Sequence, residues 1–402
     1  MELLVWRHKG RLKLSALSGL ARAWGKALFS RIHAGWVRLN PRLRKALGVL
    51  LLLFILFELA VYLVPLPWAA LDRPTSTLVF DREGRVLRAF TSADGMWRIR
   101  TDLEQVSPLL RKYLLFYEDR WFYYHPGVNP LALFRALGQN LRAGQIISGG
   151  STLTMQIARM MEPKARTWQN KLIEIFRALQ LEHRFSKEEL LTIYFNIAPY
   201  GGNIEGVAAA SWLYFGKEPD RLSPGEAALL TVLPNSPTQL RPDLAPERAR
   251  AARNKVLKRL FDHGLLTEAE YREALAEAIP TARREWPFLA PHFSQELVTR
   301  YSGDARIYST IDRNLQAFLE DLLALEAAKL KTEGITNAAA VVIDNQTHQL
   351  VAAVGSAAFF NEEDRGQVNG YRAPRSPGST LKPFVYALAM EKGLITPAHY
   401  VE

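Results

Sequence analysis

The apolar and polar positions divide the chain into a long apolar run, a short alternating stretch and a long region of helical periodicity. The run over residues 46–66 contains one charged residue, Glu58. As a helix rising about 1.5 Å per residue it spans about 31 Å, close to the roughly 30 Å core of a bilayer. It therefore predicts a membrane-spanning helix. We assign no role to Glu58, which is either protonated or turned toward a partner helix.

Beyond this run, apolar residues flanking Glu83-Gly84 predict a β-hairpin over residues 77–90, and residues 96–100 suggest a further strand. From Leu103 onward the periodicity is helical, which predicts a region built mainly of helices. Its later helices are expected over residues 168–185, 187–196, 204–215, 223–233, 245–263 and 267–278.

Two of these helices have a start signal in the sequence. Ser186 and Ser223 each precede a glutamate by three residues, which is the spacing of a capping box. After the helices, strand-like runs at 338–344 and 349–355 surround a short polar turn. We therefore predict a basic tail (1–45), a transmembrane helix (46–66), a small β-hairpin and linker region (67–100), a helical domain (101–278), a linker (279–305) and a further segment (306–402).

Positive charge is concentrated at the amino terminus. Residues 1–45 hold eleven lysines and arginines and one acid, whereas the whole chain has a formal net charge of +11. The tail either binds anionic lipid or acts only as the topology signal that keeps it cytoplasmic, with the bulk of the chain outside. The remaining charge predicts no nucleic-acid surface. The chain contains no cysteine, which excludes disulfides, thiolate zinc sites and a cysteine nucleophile.

Candidate chemistry begins at residues 118–127, E-D-R-W-F-Y-Y-H-P-G. A carboxylate among aromatic rings is poorly solvated, so that its pKa rises toward working pH, as a general base requires. Acids at a helix end followed by aromatic core residues are the alternative. Next, residues 149–156, G-G-S-T-L-T-M-Q, offer glycines, hydroxyls and a helix start that can bind a phosphate, or an ordinary turn and N-cap.

Two further motifs follow. Lys171 and Glu174 share a stripe of one predicted helix, either as a surface ion pair or as a cation for a phosphate beside a second carboxylate. Residues 200–207, Y-G-G-N-I-E-G-V, place a glycine-rich loop before an alanine-rich helix. Close helix packing is sufficient to explain this last motif.

In this order, the four motifs resemble the family 51 glycosyltransferase domain of class A penicillin-binding proteins. Residues 229–242, L-L-T-V-L-P-N-S-P-T-Q-L-R-P, are similar to the next motif of that family. The resemblance runs from about Thr77 to the end of the chain. It implies a mainly α fold: a membrane anchor helix, a lysozyme-like helical glycosyltransferase domain over 101–278, and an incomplete α/β transpeptidase-like segment over 306–402.

The resemblance also implies residue roles. Glu118 is the general base that takes the proton from the 4-hydroxyl of the acceptor sugar. Glu174 is a second carboxylate near the donor pyrophosphate, which it contacts directly or through a divalent cation (Mg²⁺ or Mn²⁺). No organic cofactor is implied. Substrate-binding roles fall on Asp119, Phe122, His125, Ser151, Thr152, Gln156, Arg159 and Lys171. Met155 and Met160 depart from the glutamine and asparagine that are commoner in the family.

The implied activity is polymerisation of lipid II into β-1,4 glycan strands, with inversion and release of lipid pyrophosphate. The implied partners are lipid II, the lipid-linked glycan strand, the inner membrane and other cell-wall synthesis proteins. The implied location is a single-pass protein of the inner membrane with a periplasmic catalytic domain. Lys171 and the anion-binding loop favour a phosphate leaving group, which argues against one alternative, a lysozyme-like glycan hydrolase. The intact glycosyltransferase domain argues against the other alternative, a catalytically inactive cell-envelope scaffold.

An apolar series interrupted by Arg135 and Arg142 has two interpretations. Its members either dip into the membrane interface or belong to an ordinary core. Both interpretations stay open at the level of sequence. The series is Leu131, Leu133, Phe134, Leu137 and Leu141.

Near the end of the chain, Ser379 and Lys382 form an S-x-x-K motif, in which a lysine one helical turn away can activate a serine nucleophile. Residues 310–316 and the predicted strands over 338–355 also resemble the start of the family's transpeptidase domain. The sequence has no S-x-N followed by K-T-G, which that active site requires. We therefore expect this polypeptide neither to crosslink peptides nor to bind penicillin stably.

Overall fold

The computed structural model describes residues 40–143, 150–165 and 167–398. Most of the predicted basic tail, and Gly149 of the second motif, lie outside the described residues. The chain divides into two compact units, Met1–Leu66 and Pro67–Glu402. The fold is mainly helical, as predicted.

The first unit is described through helix α1 (Pro41–Leu63). Asn40 caps this helix by accepting a hydrogen bond from the Arg42 amide at 2.9 Å, and proline occupies the first turn, so the helix begins ahead of the expected Ala46. It ends shortly before Pro65, because the residue preceding a proline disfavours helical geometry. With 23 residues and a mean hydropathy of 2.6, α1 is the one described helix that is long and apolar enough to cross a membrane.

The second unit is built from helices and short strands. Its described helices are α2 (Pro108–Glu118), α3 (Pro130–Ala143), α4 (Leu153–Met161), α5 (Trp168–Glu182), α6 (Lys187–Ile197), α7 (Val207–Phe215), α8 (Pro224–Val232), α9 (Pro246–Asp262), α10 (Glu268–Ala276), α11 (Pro291–Arg300), α12 (Arg313–Leu330) and α13 (Lys382–Glu391). Its strands are β1 (Thr77–Phe80), β2 (Val86–Phe90), β3 (Trp97–Arg98), β4 (Pro199–Gly201), β5 (Ile204–Glu205), β6 (Arg306–Tyr308), β7 (Ala340–Ile343) and β8 (Leu350–Val354).

Local signals explain where several helices start. At α6, Ser186 Oγ accepts from the Glu189 amide at 3.2 Å, and Glu189 Oε2 accepts from the Ser186 amide at 2.7 Å. The same reciprocal cap forms between Ser223 and Glu226 at α8, so both predicted capping boxes are confirmed. Each such cap stabilises its helix by about 1 kcal/mol.

The glycine-rich loop of the fourth motif serves helix packing. Helix α7 is apolar on nearly every side and almost wholly buried, as expected of a central helix. It starts at Gly206, whose φ of 87° favours glycine. A Cβ atom at this position would lie 2.9 Å from the carbonyl oxygen of Asn196 on α6. The packing interpretation of this motif therefore agrees with the structure.

Two predicted hairpins are confirmed: β1 pairs antiparallel with β2, and β7 with β8. The other edge of β1 pairs in parallel with β6, so that the order in this sheet is β2-β1-β6. A small core fixes the sheet against the segment that contains β8. It consists of Val79, Leu87, Ile307, Ile311 and Ala353.

Candidate active site

Glu118 is the last residue of α2, and its side chain is held by two amides. Gln156 Nε2 donates to Glu118 Oε2 at 2.9 Å, and Asn235 Nδ2 donates to Glu118 Oε1 at 2.8 Å. Burial raises the pKa of Glu118, while the two amides and the charge of Arg259 act in the opposite direction. The result is a carboxylate that is more basic than usual and has no direct cationic partner among the described residues.

Asp119 links the first motif to the start of α4. Its carboxylate accepts from His125 Nε2 at 2.9 and 3.0 Å and from the Leu153 amide at 3.0 Å. Asp119 and His125 are both buried. Asp119 therefore connects the residue after Glu118 to both His125 and the start of α4.

Thr152 is the N-cap of α4. Its Oγ1 accepts from the Met155 amide at 3.2 Å and donates to the Gly127 carbonyl at 2.5 Å. Gly127 has a φ of 88°, and a Cβ atom there would lie 2.9 Å from the Ala178 carbonyl oxygen. The cap therefore joins the end of the first motif to the second, and the Thr152 side chain is committed to this contact.

Lys171 and Glu174 lie on the first turns of α5. The Lys171 ammonium donates to Glu174 Oε2 at 3.0 Å and to Ser151 Oγ at 2.6 Å. Both side chains are about three-quarters or more buried. The pair is therefore not a free surface ion pair but is fixed against the residue that precedes the cap of α4.

These contacts converge on residues 150–156, which we call the 150–156 segment. Gln156 near its end holds Glu118, and Ser151 near its start contacts Lys171, which holds Glu174. The segment consists of three residues before α4 and the first turn of that helix. The two carboxylates, far apart along the chain, are thus brought to two ends of one short stretch, with a cation and the start of α4 beside it.

The remaining predicted site residues divide into core and partly exposed positions. Phe122 is buried, with the Lys187 ammonium 4.4 Å from its ring centroid, and Met155 is fully buried, so neither side chain faces solvent. Arg159 lies one turn beyond Gln156 on α4 and is partly exposed. Its charge acts on the buried Tyr194, whose pKa is raised by burial and by the charge of Glu118.

Exposed apolar side chains lie on the two helices that contact the 150–156 segment. They are Leu131 (82% exposed), Phe134 (73%), Trp168 (80%) and Leu172 (67%). Helix α3 packs closely enough that a Cβ atom on Gly150 would lie 3.0 Å from Leu133 Cα, and α5 meets the segment through Lys171 and Ser151. Leu131 and Phe134 therefore do not belong to the core, whereas the side chains of Leu137 and Leu141 lie outside the described residues.

Comparisons with known proteins identify two family domains in the chain. Residues 83–261 match the transglycosylase family model, and residues 338–402 match that of the penicillin-binding protein transpeptidase domain. The chain belongs to the class A penicillin-binding proteins. All residues from Glu118 to Asn235 that form the contacts described above fall within the transglycosylase match.

Several curated penicillin-binding proteins are similar to this one. Penicillin-binding protein 1C of Escherichia coli is 44% identical over 351 residues, which are 87% of this chain and 45% of that protein. Penicillin-binding protein 1A of Aquifex aeolicus is 29% identical over 379 residues, 88% of this chain and 50% of that protein. Penicillin-binding protein 1A of E. coli is 37% identical over 232 residues, 54% of this chain and 27% of that protein. The chain thus spans about half the length of the first two relatives.

The transpeptidase match of this penicillin-binding protein contains Ser379 and Lys382. Ser379 lies in a 3₁₀ turn (Gly378–Leu381), and Lys382 begins α13. Both side chains are exposed, and no hydrogen bond joins them in the described part of the chain. The S-x-x-K pair is therefore present without the contact that would activate the serine.

Two features of the site were not assigned from the sequence. Asn235 lies within a stretch that resembles a family motif, but no spacing signal connects it to Glu118. Glu205, in the fourth motif, is buried and paired with Arg73 at 2.6 Å and Arg98 at 3.0 Å. Arg73 and Glu205 are 132 residues apart in sequence, so their contact could not be inferred from the sequence alone.

Proposed function

We propose that this chain is a peptidoglycan glycosyltransferase that polymerises lipid II into β-1,4 glycan strands. The observation that carries the proposal is the contrast between two carboxylates of the same site. Glu118 is held by neutral amides and has a raised pKa, whereas Glu174 is paired with the Lys171 ammonium. Glu118 suits removal of a proton, whereas the Lys171–Glu174 pair places an ammonium where it can face an anionic group.

In the proposed reaction Glu118 accepts the proton from the 4-hydroxyl of the acceptor sugar. The hydroxyl oxygen forms a bond to the anomeric carbon of the donor, and the bond from that carbon to the pyrophosphate oxygen breaks. Attack from the face opposite the leaving group inverts this centre to the β configuration. General-base assistance of this kind contributes about 10²–10⁴-fold to the rate.

The departing lipid pyrophosphate requires positive charge. Lys171 and Ser151 provide an ammonium and a hydroxyl at the start of α4. We propose that these groups face the oxygen on which charge develops, an arrangement that would favour departure of a phosphate over simple glycan hydrolysis.

A divalent cation remains part of the proposal. Among the described residues, no three His, Asp or Glu side chains gather as metal ligands. Mg²⁺ is commonly held by one or two carboxylates together with substrate phosphates, and Glu174 is the carboxylate that fits this pattern here. A bound ion would supply charge compensation at the pyrophosphate, in addition to Lys171.

A lipid-linked substrate also accounts for the apolar surface beside the site. Exposed apolar side chains lie on α3 and α5, the two helices that contact Gly150 and Ser151, and we propose that the lipid tail of the substrate leaves the site along them. Helix α1 has the length and composition of an anchor, and the preceding basic residues favour a cytoplasmic amino terminus. We accordingly propose a single-pass inner-membrane protein with the glycosyltransferase on the periplasmic side.

The deciding experiment incubates the detergent-solubilised chain with lipid II, with and without Mg²⁺, and separates the products by glycan length. Long strands are expected from the wild type and none from Glu118→Gln. The matched control is Glu247→Gln, because Glu247 is 77% exposed on α9. Shortening of preformed glycan would instead indicate a hydrolase, and full activity of Glu118→Gln would refute the assignment of the base.

A further inference from the structure

We propose that Asn235 is a positioning residue for Glu118, which it holds through one carboxylate oxygen while Gln156 holds the other. The inference rests on the proposed function, since it concerns the group that removes the proton. Asn235 donates at 2.8 Å and Gln156 at 2.9 Å, and the two donors come from separate elements.

The backbone that carries Asn235 is well anchored. Asn235 ends a 3₁₀ turn (Leu233–Asn235) that directly follows α8, and Leu233 is fully buried beneath it. The Asn235 side chain itself is exposed, so the core does not determine its direction. In the described part of the chain its side chain makes one hydrogen bond, to the carboxylate of Glu118, and a change at this side chain should leave the fold intact.

Two amide donors leave the carboxylate able to act. An ionised carboxylate has about four acceptor positions, so one amide on each oxygen leaves room on each for an incoming hydroxyl. Amides also hold the ionised group in a fixed orientation without neutralising its charge. A lysine or arginine in the same place would lower basicity through direct charge pairing.

The groups around Glu118 determine its pKa, and they therefore indicate how the pKa should change when the Asn235 side chain is removed. Burial and the neighbouring Asp119 raise the pKa of Glu118, while Gln156, Asn235 and Arg259 of α9 lower it. The charge of Glu118 in turn raises the pKa of two nearby phenols, Tyr117 on α2 and Tyr194 on α6. Loss of one lowering contact raises the pKa further, so that a larger fraction of Glu118 is protonated, and hence inactive, at a given pH.

The kinetic test compares wild type, Asn235→Leu and Asn235→Gln over a range of pH. For Asn235→Leu we expect the acid limb of kcat/KM to move upward by about half to one pH unit. We also expect kcat at neutral pH to fall about tenfold with little change in KM. Asn235→Gln should restore part of both. Gln239→Leu, at another exposed amide close by in the chain, is the matched control. Superimposable profiles for wild type and Asn235→Leu would overturn the proposal.

A second readout does not depend on turnover. The full chain is labelled with glutamate carrying ¹³C at the carboxyl carbon, and the Glu118 signal is assigned by its loss in Glu118→Gln. We expect its titration midpoint to lie higher in Asn235→Leu than in wild type. An unchanged midpoint would refute the role of Asn235. A shifted midpoint in a chain that does not polymerise lipid II would support the contact and reject the proposed function.

Discussion

Lys171 and Ser151 are 20 residues apart in sequence, yet their side chains meet at 2.6 Å. Ser151 immediately precedes the N-cap of α4, so this contact fixes an ammonium beside a helix start. The same ammonium pairs with Glu174. Cation, hydroxyl and carboxylate therefore have a defined geometry before any substrate arrives, which limits the reorganisation required during the reaction.

Replacement of Lys171 should affect the rate more than the fold. We expect Lys171→Met to lower kcat for lipid II polymerisation by about 10²–10³-fold, because charge on the leaving pyrophosphate loses a preorganised partner. Lys171→Arg should retain more activity than Lys171→Met. Lys164→Met is the control, since the ammonium of Lys164 is partly exposed and lies 3.8 Å from Glu162. Equal rates for Lys171→Met and Lys164→Met would contradict the role of Lys171.

The apolar surface beside the site can be tested with single labels, because the chain contains no cysteine. We expect a spin label at Phe134→Cys, in proteoliposomes, to be more accessible to oxygen than to a water-soluble nickel chelate. Leu244→Cys, at a side chain 69% exposed in the loop before α9, provides the comparison and should show the reverse preference. A label at Phe134 that responds mainly to the nickel chelate would exclude membrane contact at this surface.

Glu205 should contribute strongly to stability. Its buried carboxylate pairs with Arg73 at 2.6 Å and Arg98 at 3.0 Å, and Arg98 also pairs with Asp94 at 2.9 Å. Glu205→Ala would leave two guanidinium groups without their shared partner, at a cost of about 3–5 kcal/mol. Thermal unfolding in detergent measures the loss, with the exposed Glu247→Ala as the control. If both variants unfold at the wild-type temperature, the network is not a stabilising one.

The S-x-x-K motif yields a prediction for this 402-residue polypeptide. Because Ser379 and Lys382 are exposed and not hydrogen-bonded to each other, we expect no stable adduct with a fluorescent penicillin. Gel fluorescence after denaturation measures the adduct, and a full-length class A relative provides the positive control. A covalent band that disappears in Ser379→Ala would contradict this expectation.

Local signals in the sequence predicted local structure well. The caps at Ser186 and Ser223 depend on atoms three residues apart, and the hairpin formed by β1 and β2 depends on a short turn. The apolar run predicted α1, although its start was displaced because Asn40 and Pro41 supply a cap outside the apolar stretch. In each case the interacting groups are neighbours along the chain.

Contacts between segments that are distant in sequence could not be predicted from local sequence signals. The sequence marked Glu118 as a candidate base, but not Asn235, which lies 117 residues away and reaches Glu118 only through the packing of α8 against α2. Phe122 was expected at the substrate, yet it is buried in the core. Aromatic residues in a motif can serve either purpose, and their spacing does not distinguish the two.

The parallel pairing of β1 with β6 has a topological consequence. The chain leaves this ladder after Phe80 and returns to it at Arg306, so helices α2–α11 form one long excursion whose two ends are hydrogen-bonded neighbours. The Leu78 amide donates to the Ala305 carbonyl at 3.0 Å at the point of return. A backbone break anywhere inside the excursion would leave both fragments tethered at that ladder, and a displacement of β6 would reach β1 directly without first passing through the helices.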